Sequence, residues 1–170
     1  MGEPRASRPY MPGYGVQGPE EGSGLLPWSW AEARLAASRN YWLASVWPDG
    51  RPHTMPVWGA WQERCFWFSS SLGSRKARNL FNRPTCVVTT EDALDPVVLE
   101  GTAHLVAELD AIGSFLEAVN AKYGTSYGME LGDPSLNATF RVRPRWAFGL
   151  RQADFTGSPT RWELRSGEDR

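Results

Sequence analysis

A run of hydroxyl and basic side chains around residue 73 has the composition of an anion-binding site. Hydroxyls end a strand-like aromatic run, Gly73 interrupts it, and Ser74, Arg75 and Lys76 begin a short helix. Basic residues in the first turn of a helix oppose its macrodipole. They become favourable when an anion binds, because free backbone N–H groups, a hydroxyl, a guanidinium and an ammonium then converge on it. The segment therefore predicts a phosphate site; a solvated basic helix is the alternative interpretation.

A second segment could lie against a flat ligand. Met55, Pro56, Val57 and Trp58 form a strand-like run that proline should bend and that mixes small with large side chains. Such a strand can direct its backbone N–H and C=O groups at the edge of a polar heterocycle. The alternative is a core strand that carries an edge proline.

The sequence around these segments predicts one folded domain. Residues 1–27 are rich in Gly, Pro and Glu and predict a flexible arm or a surface strap. Residues 28–164 are the predicted domain, and residues 165–170 are a predicted disordered tail. Short strands joined mostly by turns, with helices inserted, predict an α+β fold built on a mostly antiparallel barrel.

Several elements can be placed along the chain. Ser29 and Asp110 are the predicted N-caps of two helices. A single strand is expected over Pro52 to Trp61, and two late strands over Thr139 to Arg143 and Trp146 to Gln152. Strands and helices do not alternate in βαβ units, and no glycine pattern lies between a strand and a long helix. A Rossmann fold is therefore not expected.

Charge and composition narrow the function classes. The net charge is −1, which disfavours nucleic acid and anionic membranes as partners. The two cysteines and two histidines show no metal-ligand spacing, so no metal site is predicted. No apolar run reaches the length of a membrane span or forms a signal peptide, so the cytoplasm is the expected location.

The order of the short motifs resembles that of a known family. The motifs are Asp49-Gly50-Arg51-Pro52, Met55-Pro56-Val57-Trp58, Gly73-Ser74-Arg75-Lys76-Ala77, Val97-Val98-Leu99-Glu100-Gly101 and Arg143-Pro144-Arg145-Trp146. Together they resemble the pyridoxamine 5′-phosphate oxidase-like family over residues 28–164.

The resemblance implies a split β-barrel with peripheral helices that forms a homodimer, with cofactor clefts at the dimer interface. The implied cofactor is FMN, with the deazaflavin coenzyme F-420 as the alternative. Arg75 and Lys76 would hold the phosphate with Ser74 nearby, and Ser69 and Ser70 would lie along the ribityl chain or phosphate. The main chain from Met55 to Trp58, including Pro56 and Val57, would pass the ring system. Trp162 would reach a cleft from the partner subunit.

The sequence also departs from true pyridoxamine phosphate oxidases. Those enzymes have arginine where Thr54 stands, lysine where Gly59 stands and glutamine where Pro96 falls. Their C-terminal Arg-x-His motif is missing. Oxidation of vitamin B6 phosphates is therefore not expected.

The predicted function is a flavin- or deazaflavin-dependent oxidoreductase that acts on an unidentified small organic substrate. A flavin carries the hydride chemistry itself, so no catalytic residue is assigned. A non-catalytic carrier or sensor that binds flavin or haem is the alternative, and an empty dimeric scaffold is a third interpretation.

Overall fold

The computed structural model describes residues 2–164. The strands among these residues are β1 (Arg5–Ser7), β2 (Tyr41–Val46), β3 (Pro52–Val57), β4 (Ala60–Gln62), β5 (Cys65–Ser71), β6 (Thr85–Thr90), β7 (Val97–Val106), β8 (Asn137–Gly149) and β9 (Thr160–Glu163). The α-helices are α1 (Trp28–Ala37), α2 (Arg75–Asn82) and α3 (Leu109–Tyr123), and a 3₁₀ turn covers Gln152–Asp154. No helix between residues 2 and 164 is long and apolar enough to span a membrane.

Strand β8 organises the sheet. Along one edge it pairs with β7 over almost its whole length. Its other edge is divided, because residues 137–142 pair with β5 and residues 146–149 pair with β9. The remaining strands continue from β7 in the order β6, β2, β3, and all pairings are antiparallel. The predicted α+β class and mostly antiparallel split barrel are confirmed.

No hydrogen-bonded ladder among residues 2–164 closes the barrel between β3 and β5. Strand β3 pairs only with β2, and the chain then passes through Trp58 and Gly59 into β4, which pairs with β5. The β4–β5 ladder stops at the pair of Ala60 and Trp67. From this point β3 and the end of β5 separate, so each has an edge without a strand partner among residues 2–164.

Strand β5 is buried on both of its sides. Because successive side chains of a strand point to opposite faces, Phe66 and Phe68 join the core inside the barrel. Cys65 and Trp67 face outward and join a second core under α3. The helix contributes its apolar stripe of Ile112, Phe115, Leu116 and Val119 to that second core. This arrangement explains why β5 reads as a continuous apolar run rather than an alternating one.

Two strand predictions need correction. The single strand expected over Pro52 to Trp61 is broken, because β3 ends at Val57 and β4 starts at Ala60. The two late strands are in fact the single strand β8, which continues through Pro144. A register shift between Glu100 and Gly101 in the neighbouring strand accommodates this proline, as expected for a β-bulge.

The helix starts also differ from those predicted. Helix α1 begins one residue before Ser29, with Pro27 as its N-cap, and α3 begins one residue before Asp110, with Glu108 as its N-cap. Neither N-cap side chain accepts a capping hydrogen bond from its helix. Burial of the apolar stripes, rather than capping, therefore sets where these helices begin.

The N-terminal segment lies against the barrel. Strand β1 pairs with β9, and the Arg8 guanidinium donates to the carbonyl oxygens of Gly18, Gly157 and Pro159 at 2.8–2.9 Å. Arg8 thus ties the N-terminal segment to the loop that precedes β9. The assignment of residues 1–27 as a separate arm stays a prediction. The predicted tail, residues 165–170, lies outside the described residues.

The chain bends at Trp58 and Gly59, between β3 and β4, and we call this bend the kink. Substitution of Gly59 tests how tightly the kink is packed. A Cβ atom at Gly59 would lie 2.4 Å from Phe66 Cζ and 2.5 Å from the Trp67 carbonyl oxygen. Gly59→Ala should therefore lower the free energy of unfolding by about 1–3 kcal/mol, as overpacking does. Urea denaturation followed by circular dichroism measures this value.

The matched control is Gly113→Ala, in α3. A Cβ atom there would meet nothing within 4 Å, and the backbone is helical. This variant should be more stable than the wild type by about 0.5–1 kcal/mol, because alanine favours the helix. Equal effects of the two variants would contradict the tight packing at Gly59.

Candidate cofactor site

The N-terminus of α2 forms a cradle of hydroxyl groups. Ser74 is the N-cap residue, and its Oγ accepts a hydrogen bond from the Ala77 N–H at 3.2 Å. The Ser70 hydroxyl, near the end of β5, donates to the same Ser74 Oγ at 2.9 Å. The turn is fixed by a hydrogen bond from the Ser74 N–H to the Ser71 carbonyl oxygen. Two hydroxyls are thus positioned at the positive end of a helix dipole.

The cations of this cradle have no acidic partner among the described residues. Helix α2 has no acidic residue in its first turn, and neither Arg75 nor Lys76 forms an ion pair with any of residues 2–164. Their backbone N–H groups also lack an acceptor within that range, as the first groups of a helix do. Positive side chains, free N–H groups and the helix dipole all favour the same occupant, an anion.

Trp47 extends the basic surface beyond the helix. The Arg75 guanidinium lies 3.8 Å from the centre of the Trp47 ring, and the Arg51 guanidinium lies 4.5 Å from the same ring. Arg51 also forms an exposed ion pair of 2.8 Å with Asp49. Stacking on the indole holds both guanidiniums by cation–π attraction. It brings the β2–β3 turn, which carries Arg51, beside the start of α2.

The free edge of β3 contains the predicted ring-binding segment. Val57 is buried and Met55 is 45% exposed, and both lie on the inner face opposite residues of β2. Pro56 lies on the outer face. Trp58 is 48% exposed, and its ring stacks on Tyr123 with the centroids 4.4 Å apart. Because this edge of β3 has no strand partner within residues 2–164, its backbone groups remain available.

The two adjacent serines of β5 face opposite ways. Ser70 contacts Ser74 at the cradle. Ser69 instead lies among the residues between β5 and α3, where its hydroxyl is 3.4 Å from the Leu131 carbonyl oxygen and 3.4 Å from Thr139 Oγ1. The structure therefore groups Ser70 with Ser74, Arg75 and Lys76, and separates Ser69 from them by the thickness of the strand.

Trp162 lies away from this group of residues. It is fully buried in β9, where its ring packs edge-on against Trp28 at 5.6 Å and is stacked near Trp30 at 6.4 Å. Its neighbours belong to its own protomer. Because the ring is fully buried within its own subunit, Trp162 is left out of the site that we propose below, and its contact with a partner's cleft stays a prediction.

The family of the chain follows from comparison with known proteins. A family model described as pyridoxamine 5′-phosphate oxidase matches residues 30–151. The chain belongs to the pyridoxamine 5′-phosphate oxidase family. The matched range includes the hydroxyl cradle, the free edge of β3 and helix α3, whereas β9 and its Trp162 lie beyond it. A search of curated protein sequences finds no significant match.

Solved structures support the same fold. An F420 reductase is 25% identical, with a TM-score of 0.55, and the alignment covers 66% of this chain and 91% of that one. A NimC/NimA family protein from Clostridium acetobutylicum has a TM-score of 0.62 at 14% identity, with 80% and 94% of the two chains covered. A haem-binding protein from Mycobacterium smegmatis has a TM-score of 0.60 at 16% identity, with 78% and 62% covered. The last two similarities show the fold alone.

Within this member of the family, a polar cluster that sequence reasoning missed supports the kink. The Lys122 ammonium donates to the Tyr41 hydroxyl at 2.6 Å and to the Gly59 carbonyl oxygen at 3.1 Å. The Tyr41 hydroxyl donates to the Leu35 carbonyl oxygen. The Tyr123 hydroxyl accepts from the Gly59 N–H at 3.0 Å. These residues are far apart in the sequence, so no local pattern indicates that they meet.

The environment of this cluster shifts its proton equilibria. Burial lowers the pKa of Lys122 to about 8, helped by nearby Arg39 and opposed by Glu91. Burial also raises the pKa values of Tyr41 and Tyr123, so both phenols stay protonated over the pH range in which Lys122 titrates. The ammonium is therefore held in the kink at an energetic cost.

The pH dependence of stability should report this cost. Since the pKa of Lys122 is lowered on folding, the unfolded chain binds more protons between about pH 8 and the ordinary lysine pKa, and stability rises with pH there. From pH 7.5 to 9.5, the free energy of unfolding of the wild type should rise relative to Lys122→Met by roughly 1 kcal/mol. This figure is reduced from the full shift because the side chain is partly exposed to solvent.

Urea denaturation of both proteins at the two pH values measures the difference. In Lys122→Met the Tyr41 hydroxyl keeps its bond to Leu35, and the Gly59 carbonyl oxygen keeps its contact with Tyr123, so the variant should fold. Parallel pH profiles for the two proteins would show that Lys122 is not perturbed by the kink.

Proposed function

We propose that this protein is a flavin- or deazaflavin-dependent oxidoreductase that acts on a small organic substrate as a homodimer. The observation that carries the proposal is the hydroxyl cradle at α2, with its two cations free of acidic partners, beside strand edges that have no partner among residues 2–164. A flavin cofactor has a phosphate group and a flat heterocycle. The cradle suits the phosphate group, and the free strand edges suit the heterocycle.

The residues present fit such a cofactor. Ser70 and Ser74 would offer hydroxyls to the phosphate, and Arg75 and Lys76 would offer charge together with free backbone N–H groups. The main-chain groups of β3 around Met55 would meet the ring edge. When bound, the flavin or deazaflavin supplies the hydride transfer, while the protein binds and orients it and excludes water.

The structure also supports a reaction other than vitamin B6 phosphate oxidation. Gly59 stands where the family resemblance places a lysine of the true oxidases. A Cβ atom at this position would meet Phe66 and the Trp67 backbone at 2.4–2.5 Å. The position therefore has no room for a lysine side chain in this conformation. The cofactor contact that this lysine makes in the true oxidases would need a different backbone conformation at the kink.

Two cofactors remain candidates, and each has support. A single cradle of this size suits the one phosphate of FMN. The second guanidinium on Trp47, that of Arg51, adds a basic group where the longer acidic tail of the deazaflavin F420 could extend. The structural similarity to an F420 reductase supports the second candidate.

The homodimer is supported by an apolar area on the outer face of β2 and β3. Trp42 and Pro56 are directly paired there and both are exposed, and Trp58 follows at the end of β3. An exposed apolar area with several tryptophans is more often an interaction surface than a surface left in contact with water. The cradle and the free edge of β3 would then lie close to the subunit interface.

Cofactor titration tests the proposal. Purified protein is titrated with FMN and, separately, with F420, and quenching of the cofactor fluorescence is followed. The variant Arg75→Ala/Lys76→Ala should lose affinity for the preferred cofactor by at least tenfold, because each charge-assisted contact contributes about 1.5–3 kcal/mol.

The charge control is Arg145→Ala, an exposed arginine of β8. It lies eight residues along the strand from Asn137, which pairs with Ser71 beside the cradle, so cofactor affinity should not change. Undiminished affinity in the double variant would overturn the phosphate site. Binding without reduction and reoxidation of the cofactor by any substrate would identify a carrier rather than an enzyme.

Oligomeric state tests the apolar area. Light scattering after size exclusion should give twice the protomer mass for the wild type, and Trp42→Asp should shift the protein to the monomer. Leu94→Asp, in an exposed turn that is not part of this area, should remain a dimer. A monomeric wild type would overturn the proposed dimer while leaving the cofactor titration to stand by itself.

A further inference from the structure

A small apolar cavity lies between α3 and the outer face of β5. Its volume is about 140 Å³, and its walls are Trp58, Ser69, Phe115, Val119, Tyr127 and Leu131. None of these side chains carries a charge. Phe115 and Val119 are buried, whereas Trp58 and Tyr127 are exposed and form the rim. Mostly apolar walls with a few polar groups, here the Ser69 hydroxyl, the Tyr127 phenol and the Trp58 indole, are typical of sites for small organic ligands.

The rim of the cavity is fixed in place from two directions. On one side, the Trp58 ring stacks on Tyr123 at an interplanar angle of 5°. On the other, Asn120 of α3 holds Tyr127, because its Nδ2 donates to the Tyr127 carbonyl oxygen and its Oδ1 accepts from the Tyr127 N–H, both at 2.9 Å. A ligand would therefore meet aromatic walls that are already ordered, which lowers the entropic cost of binding.

Ser69 supplies the hydroxyl on the β5 side of the cavity. Its two protein contacts, with the Leu131 carbonyl oxygen and Thr139 Oγ1, are each 3.4 Å long. Hydroxyl hydrogen bonds are ordinarily 2.5–3.0 Å, so both contacts are weak. The Ser69 hydroxyl consequently keeps the capacity to donate a stronger hydrogen bond to a ligand.

The cavity adjoins the residues proposed to hold the cofactor. Ser69 directly precedes Ser70 of the hydroxyl cradle, and Trp58 directly follows β3, whose free edge would meet the ring. If the pairing of Ala60 with Trp67 were continued, it would bring Trp58 opposite Ser69, and both line the cavity. The cavity thus begins where β3 and β5 separate.

We infer that this cavity is the substrate pocket, and that the substrate is a small uncharged aromatic compound with one hydrogen-bond acceptor for Ser69. The inference rests on the proposed function and adds the substrate class to it. The volume matches a single six-membered ring, since a cavity of about 150 Å³ accommodates benzene. A charged ligand would lose its hydration without a counter-ion in the walls.

Binding of acetophenone to the full chain without cofactor tests the inference. The probe should shift the indole N–H signal of Trp58 in ¹H–¹⁵N spectra until it saturates, and benzoate should bind at least tenfold more weakly. Ser69→Ala should weaken acetophenone binding roughly fivefold, as the loss of one hydrogen bond does. Ser71→Ala, which removes a hydroxyl of the same strand outside the cavity, should not change the affinity.

Val119→Trp should fill the cavity and abolish the shift. Its fold is checked by cofactor titration or, where the wild type binds no cofactor, by its unfolding midpoint. Unchanged acetophenone affinity in a folded Val119→Trp, equal binding of benzoate, or no saturable shift in the wild type would each overturn the pocket. Arg75→Ala/Lys76→Ala should keep acetophenone binding while losing the cofactor, so failure of the pocket and failure of the cofactor site are separate results.

Discussion

The close approach of Gly59 to Phe66 and to the Trp67 backbone is the contact on which the architecture of the site depends. It lies where the chain leaves β3 and enters β4, so that β3 is linked to β5 through β4 rather than by a ladder of its own. A continuous ladder between β3 and β5 would have used the backbone groups that now remain without a strand partner. The polar bonds from Lys122 and Tyr123 hold the kink from the side of α3. The split between β3 and β5 and the availability of the strand edges are therefore two results of one packing constraint.

The charge distribution at α2 is unfavourable for the helix by itself and would become favourable with an anion bound. Each basic side chain in the first turn of a helix opposes the dipole by about 0.3–1 kcal/mol. Two other arginines in residues 2–164 pair with carboxylates, Arg34 with Asp95 and Arg51 with Asp49. Within residues 2–164 the Arg75 guanidinium contacts the Trp47 ring and pairs with no carboxylate, which leaves its charge uncompensated by that part of the chain. A local cost of this kind is expected at functional sites and supports the proposed anion site.

Local sequence signals predicted the class of fold, most of the strands and the short basic helix at the cradle, because these depend on neighbours in the chain. Ser74, Arg75 and Lys76 are adjacent, and a helix N-terminus brings their groups together regardless of the rest of the fold. The features that the sequence did not predict depend on packing between residues that are far apart in the chain. Trp162 is aromatic and near the C-terminus, yet its burial depends on Trp28 and Trp30, more than 130 residues earlier. Lys122 meets Tyr41 only because α3 packs across the kink.

Strand β5 connects the cradle with the cavity, because one of its faces carries Ser70 of the cradle and the other carries Ser69 of the cavity. The alternation of side chains sends Ser70 toward the cradle and Ser69 toward the cavity, although the two are neighbours in the sequence. A strand whose faces are both buried can be shifted in neither direction without exposing Phe66 or Trp67, so its register is strongly fixed. The same burial that makes β5 rigid therefore fixes the separation between an anion-binding hydroxyl and a ligand-binding one. The phosphate end of the cofactor and the substrate could then be held on opposite faces of one strand, and the ring would meet the substrate at the free edge where β3 and β5 separate.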